Sequence, residues 1–207
     1  MSRSILNASK FFALLMLVMP AASQETENVS FEGACESLSG NARSDEKVCV
    51  GFAFSDGANE LSAGLAATNA NDFDGSLWRL SQQVRLAFNT TEILAEEALF
   101  EFEADEVVFG ELSGNPVVMS DYIEEREASV SGTAQSISYD RRNGTVRLTG
   151  QATLRIGENE VMGCEWIYSL TDKTYQTGEA EECNEGIRIL LTPTEESDDL
   201  ERQPDTP

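Results

Sequence analysis

The chain has 207 residues, four cysteines and a formal net charge of −23. Binding to nucleic acid through its phosphates requires clustered Lys and Arg, so a chain this acidic is not expected to bind nucleic acid. It contains no histidine, which excludes Ser-His-Asp and Cys-His catalysis and any His-ligated metal.

The other common signatures of an active site are also missing. No Gly-rich loop that would cradle a phosphate is present. Asp and Glu are scattered along the chain, as is typical of a solvated face, so we expect no enzymatic activity, no cofactor and no metal site. A pair of carboxylates of the glycosidase kind is the remaining enzymatic alternative.

The N-terminus has the pattern of a secretory signal peptide. A basic region is followed by Phe11–Met19, an apolar run of about nine residues, and then by small residues that end just before Gln24. A bilayer span needs about 20 apolar residues, so this run is too short to cross. We predict a signal peptide over residues 1–23, with a retained membrane anchor as the alternative.

Residues 24–60 are expected to form N-terminal strands that carry a cysteine pair. In an oxidising compartment an even number of cysteines indicates a disulfide framework, and four cysteines allow three pairings. The sequence alone does not choose among them. We favour Cys35–Cys49 and Cys164–Cys183, because each pair brackets one short stretch at one end of the chain. None of them has CxxC spacing, which argues against a metal site.

Residues 61–192 are predicted to form one β-domain, because residues 61–111 and 129–179 align without gaps at an offset of about 68 residues. The matched identities include Arg79/Arg147, Leu80/Leu148, Gln83/Gln151, Leu86/Leu154, Glu97/Glu165 and Gly110/Gly178. An ungapped repeat of this length indicates one strand-and-turn unit that is used twice and stacked on itself.

Both copies alternate apolar and polar residues, as strands do. In the second copy the predicted inward face consists of Val146, Leu148, Ala152, Leu154 and Ile156, then Met162, Cys164, Trp166, Tyr168 and Leu170. In the first copy it consists of Trp78, Leu80, Val84, Leu86 and Phe88, then Leu94, Ala98, Phe100 and Phe102. A helix over residues 88–104 is the competing reading, and it is disfavoured because the matching segment of the second copy is rich in β-branched and aromatic residues.

Turn signals separate the strands. Asn143-Gly144 indicates a hairpin turn. Between the copies, residues 114–116 are expected to form a turn and residues 117–119 a short strand. The C-terminal residues 193–207 are acidic and lack periodicity, so they are predicted to be disordered.

The second copy contains an ordered set of short motifs, namely Tyr139-Asp140, Asn143-Gly144, Leu148–Ala152, Gly157–Asn159, Val161–Gly163, Ile167–Leu170 and Thr177-Gly178. This ordered set resembles the OstA-like (LptA) family of periplasmic lipopolysaccharide-transport proteins. The resemblance is good over residues 112–179, fair over residues 61–111 and weak before them.

This resemblance implies an all-β fold, an open β-jellyroll of stacked antiparallel strands with an apolar groove inside. It also implies that acyl chains of lipopolysaccharide bind in that groove. The candidate groove residues are Trp78, Leu80, Phe88, Phe100, Phe102, Leu148, Leu154, Ile156, Trp166 and Tyr168. The plain structural reading is that these side chains only fill a core.

The function that the resemblance implies is a periplasmic bridge that carries lipopolysaccharide from the inner to the outer membrane. The implied partners are lipopolysaccharide, the inner-membrane and outer-membrane components of its transport, and further copies of the chain stacked head to tail. The alternative is an exported structural or adaptor protein of the cell envelope that keeps the fold but binds no lipid.

Overall fold

The computed structural model describes residues 32–178 and 186–192, and most of them lie in β-strands. The strands are β1 (Glu32–Ala34), β2 (Ser37–Gly40), β3 (Lys47–Ser55), β4 (Asn59–Thr68), β5 (Ser76–Phe88), β6 (Thr91–Glu103), β7 (Glu106–Ile123), β8 (Ala128–Asp140), β9 (Thr145–Ile156), β10 (Asn159–Ser169), β11 (Tyr175–Thr177) and β12 (Arg188–Leu190). A single-turn 3-10 helix, Glu124–Arg126, joins β7 to β8.

All twelve strands belong to one antiparallel sheet that does not close into a barrel. From β3 to β10 each strand pairs with the next one along the chain. The short strands β1 and β2 pair with the outer edge of β3, and the short strands β11 and β12 pair with the outer edge of β10. This architecture confirms the predicted open, all-β jellyroll of antiparallel strands.

A continuous line of register shifts crosses the sheet from β4 to β10, and we call it the fold line. The shifts lie at Ser62/Leu65, Ser81/Val84, Leu94/Glu97, Ser113/Val117, Thr133/Ser136 and Gly163/Glu165. Such bulges bend a strand and increase its local twist. Because one occurs in every strand pair at the same level, the whole sheet bends there.

The fold line divides each long strand into two segments. Half A consists of residues 47–50, 65–68, 76–81, 97–103, 106–113, 136–140, 145–149 and 165–169. Half B consists of residues 52–55, 59–62, 84–88, 91–94, 117–123, 128–133, 152–156 and 159–163. The bend turns the apolar face of half A toward that of half B.

One hydrophobic core fills the space between the halves. The ring of Phe88 from half B lies 4.7 Å from that of Tyr139 in half A. Leu148 of half A packs directly on Gly132 of half B. A Cβ atom added to Gly132 would lie only 2.5 Å from Cδ2 of Leu148. Burial of apolar surface, at about 25 cal/mol per Å², is what holds the folded sheet together.

The fold line changes which residues face inward, and here two sequence-based assignments were wrong. In β6 the buried residue before the line is Ile93, whereas Leu94 is 45% exposed. In β10 it is Val161, whereas Met162 is only half-buried. The strict alternation assumed from the sequence fails because the bulge moves the side chains on one side of it to the opposite face.

The two hairpins β5–β6 and β9–β10 share the same register at the offset of the sequence repeat. Ser81 pairs with Glu97 as Thr149 pairs with Glu165, and the bulge follows at the same place in both. The preceding strand does not keep this offset, because Ser136 rather than Thr133 occupies the place that Leu65 has in the first copy. Duplication of the whole unit therefore stays a prediction.

Residues 114–116 do not form the predicted turn. They lie inside the 18-residue strand β7, where they form the irregular stretch at the fold line. The strand continues because β6 and β8 flank it on both sides of the irregularity. The predicted domain boundary between residues 60 and 61 falls inside β4.

The Cys35–Cys49 disulfide is present and confirms the first predicted pairing. Cys183 lies outside the described residues, so the pairing of Cys164 with it stays a prediction. The signal peptide over residues 1–23 and the acidic tail over residues 193–207 also lie outside the described residues. No helix within the described residues is long and apolar enough to cross a membrane.

Candidate functional site

The ten candidate groove residues all belong to the core between the halves. Eight of them are buried: Leu80, Phe88, Phe100, Phe102, Leu148, Leu154, Trp166 and Tyr168. The other two, Trp78 and Ile156, are half-buried and pack against this core. The structure thus brings the predicted set together along the inside of the folded sheet, where these side chains pack against one another.

An aromatic cluster fills the end of the core near β3. The rings of Phe73 and Trp78 stack with their centroids 4.8 Å apart. Phe54 contacts Phe102 edge to face, with centroids 4.9 Å apart, and the Phe52 ring stacks on Trp78 at 5.2 Å. Such pairs add about 0.5–1.5 kcal/mol each beyond their buried area.

Sequence reasoning missed three rings of this cluster, Phe52, Phe54 and Phe73. Phe52 and Phe54 lie before residue 61, where the resemblance to the family is weak, and Phe73 lies in residues 61–111, where it is only fair. The alternation of Phe52 and Phe54 in the segment before β4 was the available signal, since it places both rings on one face of a strand.

Trp166 occupies the opposite end of the core, beside β11. It is 3% exposed, and its ring meets the ring of Tyr175 edge to face with centroids 5.9 Å apart. Its Nε1 is, within the described residues, a buried side-chain donor without a hydrogen-bond partner. An indole N–H usually finds a partner when it is buried, so this ring end is a place where a ligand acceptor would gain a bond.

Two buried carboxylates connect half A to half B on the side away from the fold line. Asp56, in the turn between β3 and β4, accepts hydrogen bonds from the Val107 amide and from Arg141 Nη1, both at 3.1 Å. Asn59 Nδ2 also donates to this carboxylate at 2.7 Å, and Tyr139 Oη donates to Asn59 Oδ1 at 3.0 Å. We call this set the Asp56 cluster.

The second set, the Asp121 cluster, has the same character. Asp121 lies near the end of β7 in half B, and its side chain is fully buried. It accepts hydrogen bonds from Tyr168 Oη and Lys173 Nζ, both at 2.7 Å and both from the half A end of β10 or the turn after it. Thr90 Oγ1 donates to the other carboxylate oxygen at 2.6 Å.

The electrostatics of both clusters favour the ionised acids. Burial by itself raises the pKa of Asp56, but the hydrogen bonds from Asn59 and from backbone amides outweigh it, and the pKa falls below its ordinary value. For Asp121 burial again opposes ionisation, and the bonds from Lys173, Thr90 and Tyr168 lower the pKa overall. Burial and the bond to Asp121 raise the pKa of Tyr168, so this hydroxyl remains a donor.

The sequence did contain a signal for these two acids. Asp56 follows Phe52 and Phe54 on the inward register of β3, and Asp121 follows Val117 and Met119 on the inward register of β7. An acid that continues an apolar register is a candidate for a buried, partnered charge, because an unpaired one would be strongly destabilising.

A cavity of about 760 Å³ lies on the outer face of half A, next to the fold line. Its outward-facing lining includes one cross-strand row, Ala67, Arg79, Leu99, Glu111, Ser138 and Arg147. Of the ten candidate groove residues only Leu80 borders it. The open concavity and the predicted groove are therefore on opposite faces of the sheet.

No chemistry of metals is indicated by the described residues, among which no cluster of three or more His, Cys, Asp or Glu side chains is arranged to hold a metal ion. The buried acids of the two clusters are instead saturated by protein donors. This arrangement serves to join the halves of the sheet.

Residues 74–174, which include β5 to β10, match the sequence profile of the family described as LptA/(LptD N-terminal domain) LPS transport protein. These residues form a domain of the LptA type. The match confirms the resemblance that the motifs of the second copy indicated. No curated protein sequence is significantly similar to the chain.

Among solved structures, the chain is similar to that of LptH from Pseudomonas aeruginosa, with a TM-score of 0.52. The two share 11% sequence identity, and the match covers 79% of this chain and 96% of LptH. LptH is described as the LptA-homologous periplasmic component of a conserved lipopolysaccharide transport device. At this identity the similarity shows that the LptA-type domain and LptH share a fold.

Proposed function

We propose that the protein is a periplasmic lipid-binding bridge that carries lipopolysaccharide from the inner to the outer membrane. The observation that supports this most directly is the LptA-type domain, whose inward face is a continuous run of apolar and aromatic side chains from β5 to β10. Each acyl methylene buried there would contribute about 0.8 kcal/mol.

The net charge of −23 opposes the binding of an anionic lipid, but the opposition is limited in range. Charges on the surface are screened over about 8 Å at physiological ionic strength. A buried acyl chain of ten or so methylenes gains several kcal/mol, which exceeds a screened surface repulsion. Binding is therefore expected to be driven by the acyl chains rather than by the headgroup.

Two features support the periplasmic location that the proposed function requires. The predicted signal peptide over residues 1–23 would direct the chain out of the cytoplasm. The Cys35–Cys49 disulfide is of the kind that persists in an oxidising compartment. Together they favour export to an oxidising compartment, which agrees with the proposed location in the periplasm.

The two ends of the sheet suggest how the protein meets its partners. At one end β11 and β12 are only three residues long, and the side chains of Ile189 and Leu190 on β12 are 59% and 52% exposed. At the other end β1 and β2 are three and four residues long, and all their residues are exposed. Open strand edges pair with other strands, so head-to-tail stacking of copies, or docking onto membrane-bound transport components, is proposed here.

Tryptophan fluorescence tests whether lipid contacts the core. The chain has two tryptophans, so Trp78→Phe leaves Trp166 as the sole reporter. Added lipopolysaccharide should then shift the emission in a saturable way, because acyl chains displace the neighbours of the indole. Absence of a shift would contradict contact between Trp166 and the lipid.

A matched pair of variants separates lipid contact from packing. Trp166→Ala should weaken lipopolysaccharide binding more than Leu86→Ala does, since Leu86 is fully buried but is not a groove candidate. A purely structural tryptophan would cost about 3–5 kcal/mol of stability on truncation. A collapsed melting temperature without a specific loss of binding would favour that structural role.

The alternative function is that of an exported structural or adaptor protein with a filled groove. Its support is that eight of the ten groove candidates are buried among protein side chains. Native mass spectrometry of the protein purified from the periplasm discriminates between the two. Lipid A species that copurify would favour transport, and a clean mass of the protein alone would favour the alternative.

A further inference from the structure

The two halves of the folded sheet are joined in two ways. At one side the backbone itself runs from one half to the other, and at the opposite side the halves are joined only through side chains. Along the fold line the backbone passes directly from half A to half B in every strand from β4 to β10. On the opposite side the hairpin turns of the two halves meet. We call this opposite side the mouth of the sheet.

The polar contacts across the mouth are concentrated in the Asp56 and Asp121 clusters. In the first, Asp56 and Asn59 from half B meet Tyr139 and Arg141 from the far end of half A. In the second, Asp121 from half B meets Tyr168 and Lys173 in the same way. The side chains of Asp56 and Asp121 are 1% and 0% exposed, so water does not replace these bonds in the folded state.

A ligand between the halves needs space that the packed core does not offer. Interiors are packed as densely as organic crystals, so acyl chains fit there only if the halves move apart. At the bulges of the fold line the backbone stays continuous between the halves, whereas the mouth is held by side-chain hydrogen bonds that can break one at a time. Separation is therefore expected to begin at the mouth.

We propose that the Asp56 and Asp121 clusters form a clasp that holds the mouth shut, and that a lipid reaches the interior when the clasp opens and the halves hinge about the fold line. The inference rests on the proposed function in that the ligand is the acyl portion of a lipid. The Asp56 cluster joins the turn between β3 and β4 to the end of β8, and the Asp121 cluster joins β7 to β10 and the turn after it. The two clusters therefore lie at different positions along the mouth, so the mouth can open at one of them while the other stays closed.

The experiment compares clasp variants with two controls. Asp121→Asn and Asp56→Asn keep the size of the side chain but remove the charge that the clasp bonds require. Glu160→Gln is the first control, since Glu160 pairs with Arg155 on the neighbouring strand within half B and does not cross the mouth. Ile93→Val is the second control, since it trims a fully buried side chain that makes none of the hydrogen bonds of the two clusters.

Two measurements are made on each full-length variant. Stopped-flow fluorescence with fluorescein-labelled lipopolysaccharide gives the association rate, and hydrogen exchange without lipid gives the protection of amides at the mouth and at the fold line. Both clasp variants should associate roughly tenfold faster, the change that corresponds to about 1.4 kcal/mol of lost hydrogen bonding. Amides at the mouth should exchange faster by a similar factor, while those at the fold line should not.

The outcomes separate the clasp from the proposed function. If the wild-type protein binds the labelled lipid and the clasp variants match it in rate and in protection at the mouth, the clasp is overturned. If Ile93→Val accelerates association as much as Asp121→Asn does, general loss of stability explains the effect and the clasp is again overturned. If no variant binds lipid but mouth amides exchange faster only in the clasp variants, the clasp stands and the proposed function fails.

Discussion

At the scale of single residues, the most informative positions are those that break the apolar pattern. Asp56 and Asp121 continue the inward registers of β3 and β7, yet both are buried and ionised. Each is stabilised by several donors rather than by one partner, which is the arrangement that a buried charge requires. Their contribution to stability depends on pH.

We expect Asp56→Asn to lower the free energy of unfolding at pH 7 by about 1–3 kcal/mol, the range for losing charged hydrogen bonds in a buried site. The pKa of Asp56 is lowered in the folded state, so its contribution is present above the unfolded pKa of about 3.9 and is lost as the pH falls through the folded pKa. The difference between wild type and variant should therefore narrow below about pH 4.

Urea unfolding between pH 7 and pH 2 measures this difference. Glu103→Gln is the control, because its ion pair with Arg142 is half-exposed on both sides and surface pairs contribute about 0–1 kcal/mol. A gap between wild type and Asp56→Asn that stays constant over this pH range would contradict the role given to the carboxylate.

At the scale of elements, strands β5 and β9 bend at the fold line through the same backbone conformation. Gln82 and Gln83 in β5, and Gly150 and Gln151 in β9, occupy the same places in the two copies, and all four have positive φ. Two successive left-handed residues produce the bulge in each strand. The sequence repeat thus preserves a backbone bend as well as a pattern of side chains.

Gly150 and Gln82 occupy equivalent positions with positive φ, so replacing the glycine and introducing a glycine should have opposite effects on the free energy of unfolding. Gly150→Ala should cost about 1–2 kcal/mol, since its φ is +82° and the new Cβ would lie 2.6 Å from Gln135 Oε1. Gln82→Gly removes a non-glycine residue from φ +68° and should gain up to about 1 kcal/mol. Urea unfolding of both variants checks this pair, and a neutral Gly150→Ala would show that the bulge is not held by these dihedral angles.

At the scale of the whole molecule, the sheet formed by the described residues is open, and short strands lie at both of its edges. The strands at both ends are three or four residues long and lie on the surface. The chain as a whole carries a charge of −23, which keeps copies apart at long range. The exposed apolar residues of β12 favour association in spite of this repulsion, so we expect copies to associate through this end of the sheet.

We expect Leu190→Lys to weaken self-association of the protein at least tenfold, because a charge on an exposed edge strand opposes pairing with another strand. Leu77→Lys is the matched control, since Leu77 is similarly exposed, at 58%, but lies on β5 inside the sheet. Sedimentation velocity over a range of concentrations measures the effect. A wild-type protein that remains monomeric at high concentration, or equal effects of the two variants, would contradict docking through β12.

The sequence by itself determined the β class, the existence of a packed inward face and the resemblance to the LptA family. Alternation of apolar residues such as Leu148 and Leu154 has only one physical reading in a long strand, namely one face in a core. Turn signals such as Asn143-Gly144 act locally, and the Cys35–Cys49 pair was favoured because it is local. All of these features depend on neighbours in sequence.

Only the tertiary structure decided what depends on neighbours in space. The fold line is a property of seven strands together, so the inward choice of Ile93 over Leu94 could not be read from one strand. The clusters join Asp56 to Arg141 and Asp121 to Lys173 over long stretches of chain, and their partners meet only when the sheet bends. Whether a candidate side chain is packed or open is likewise set by the opposite half, because burial is decided by what lies across the core.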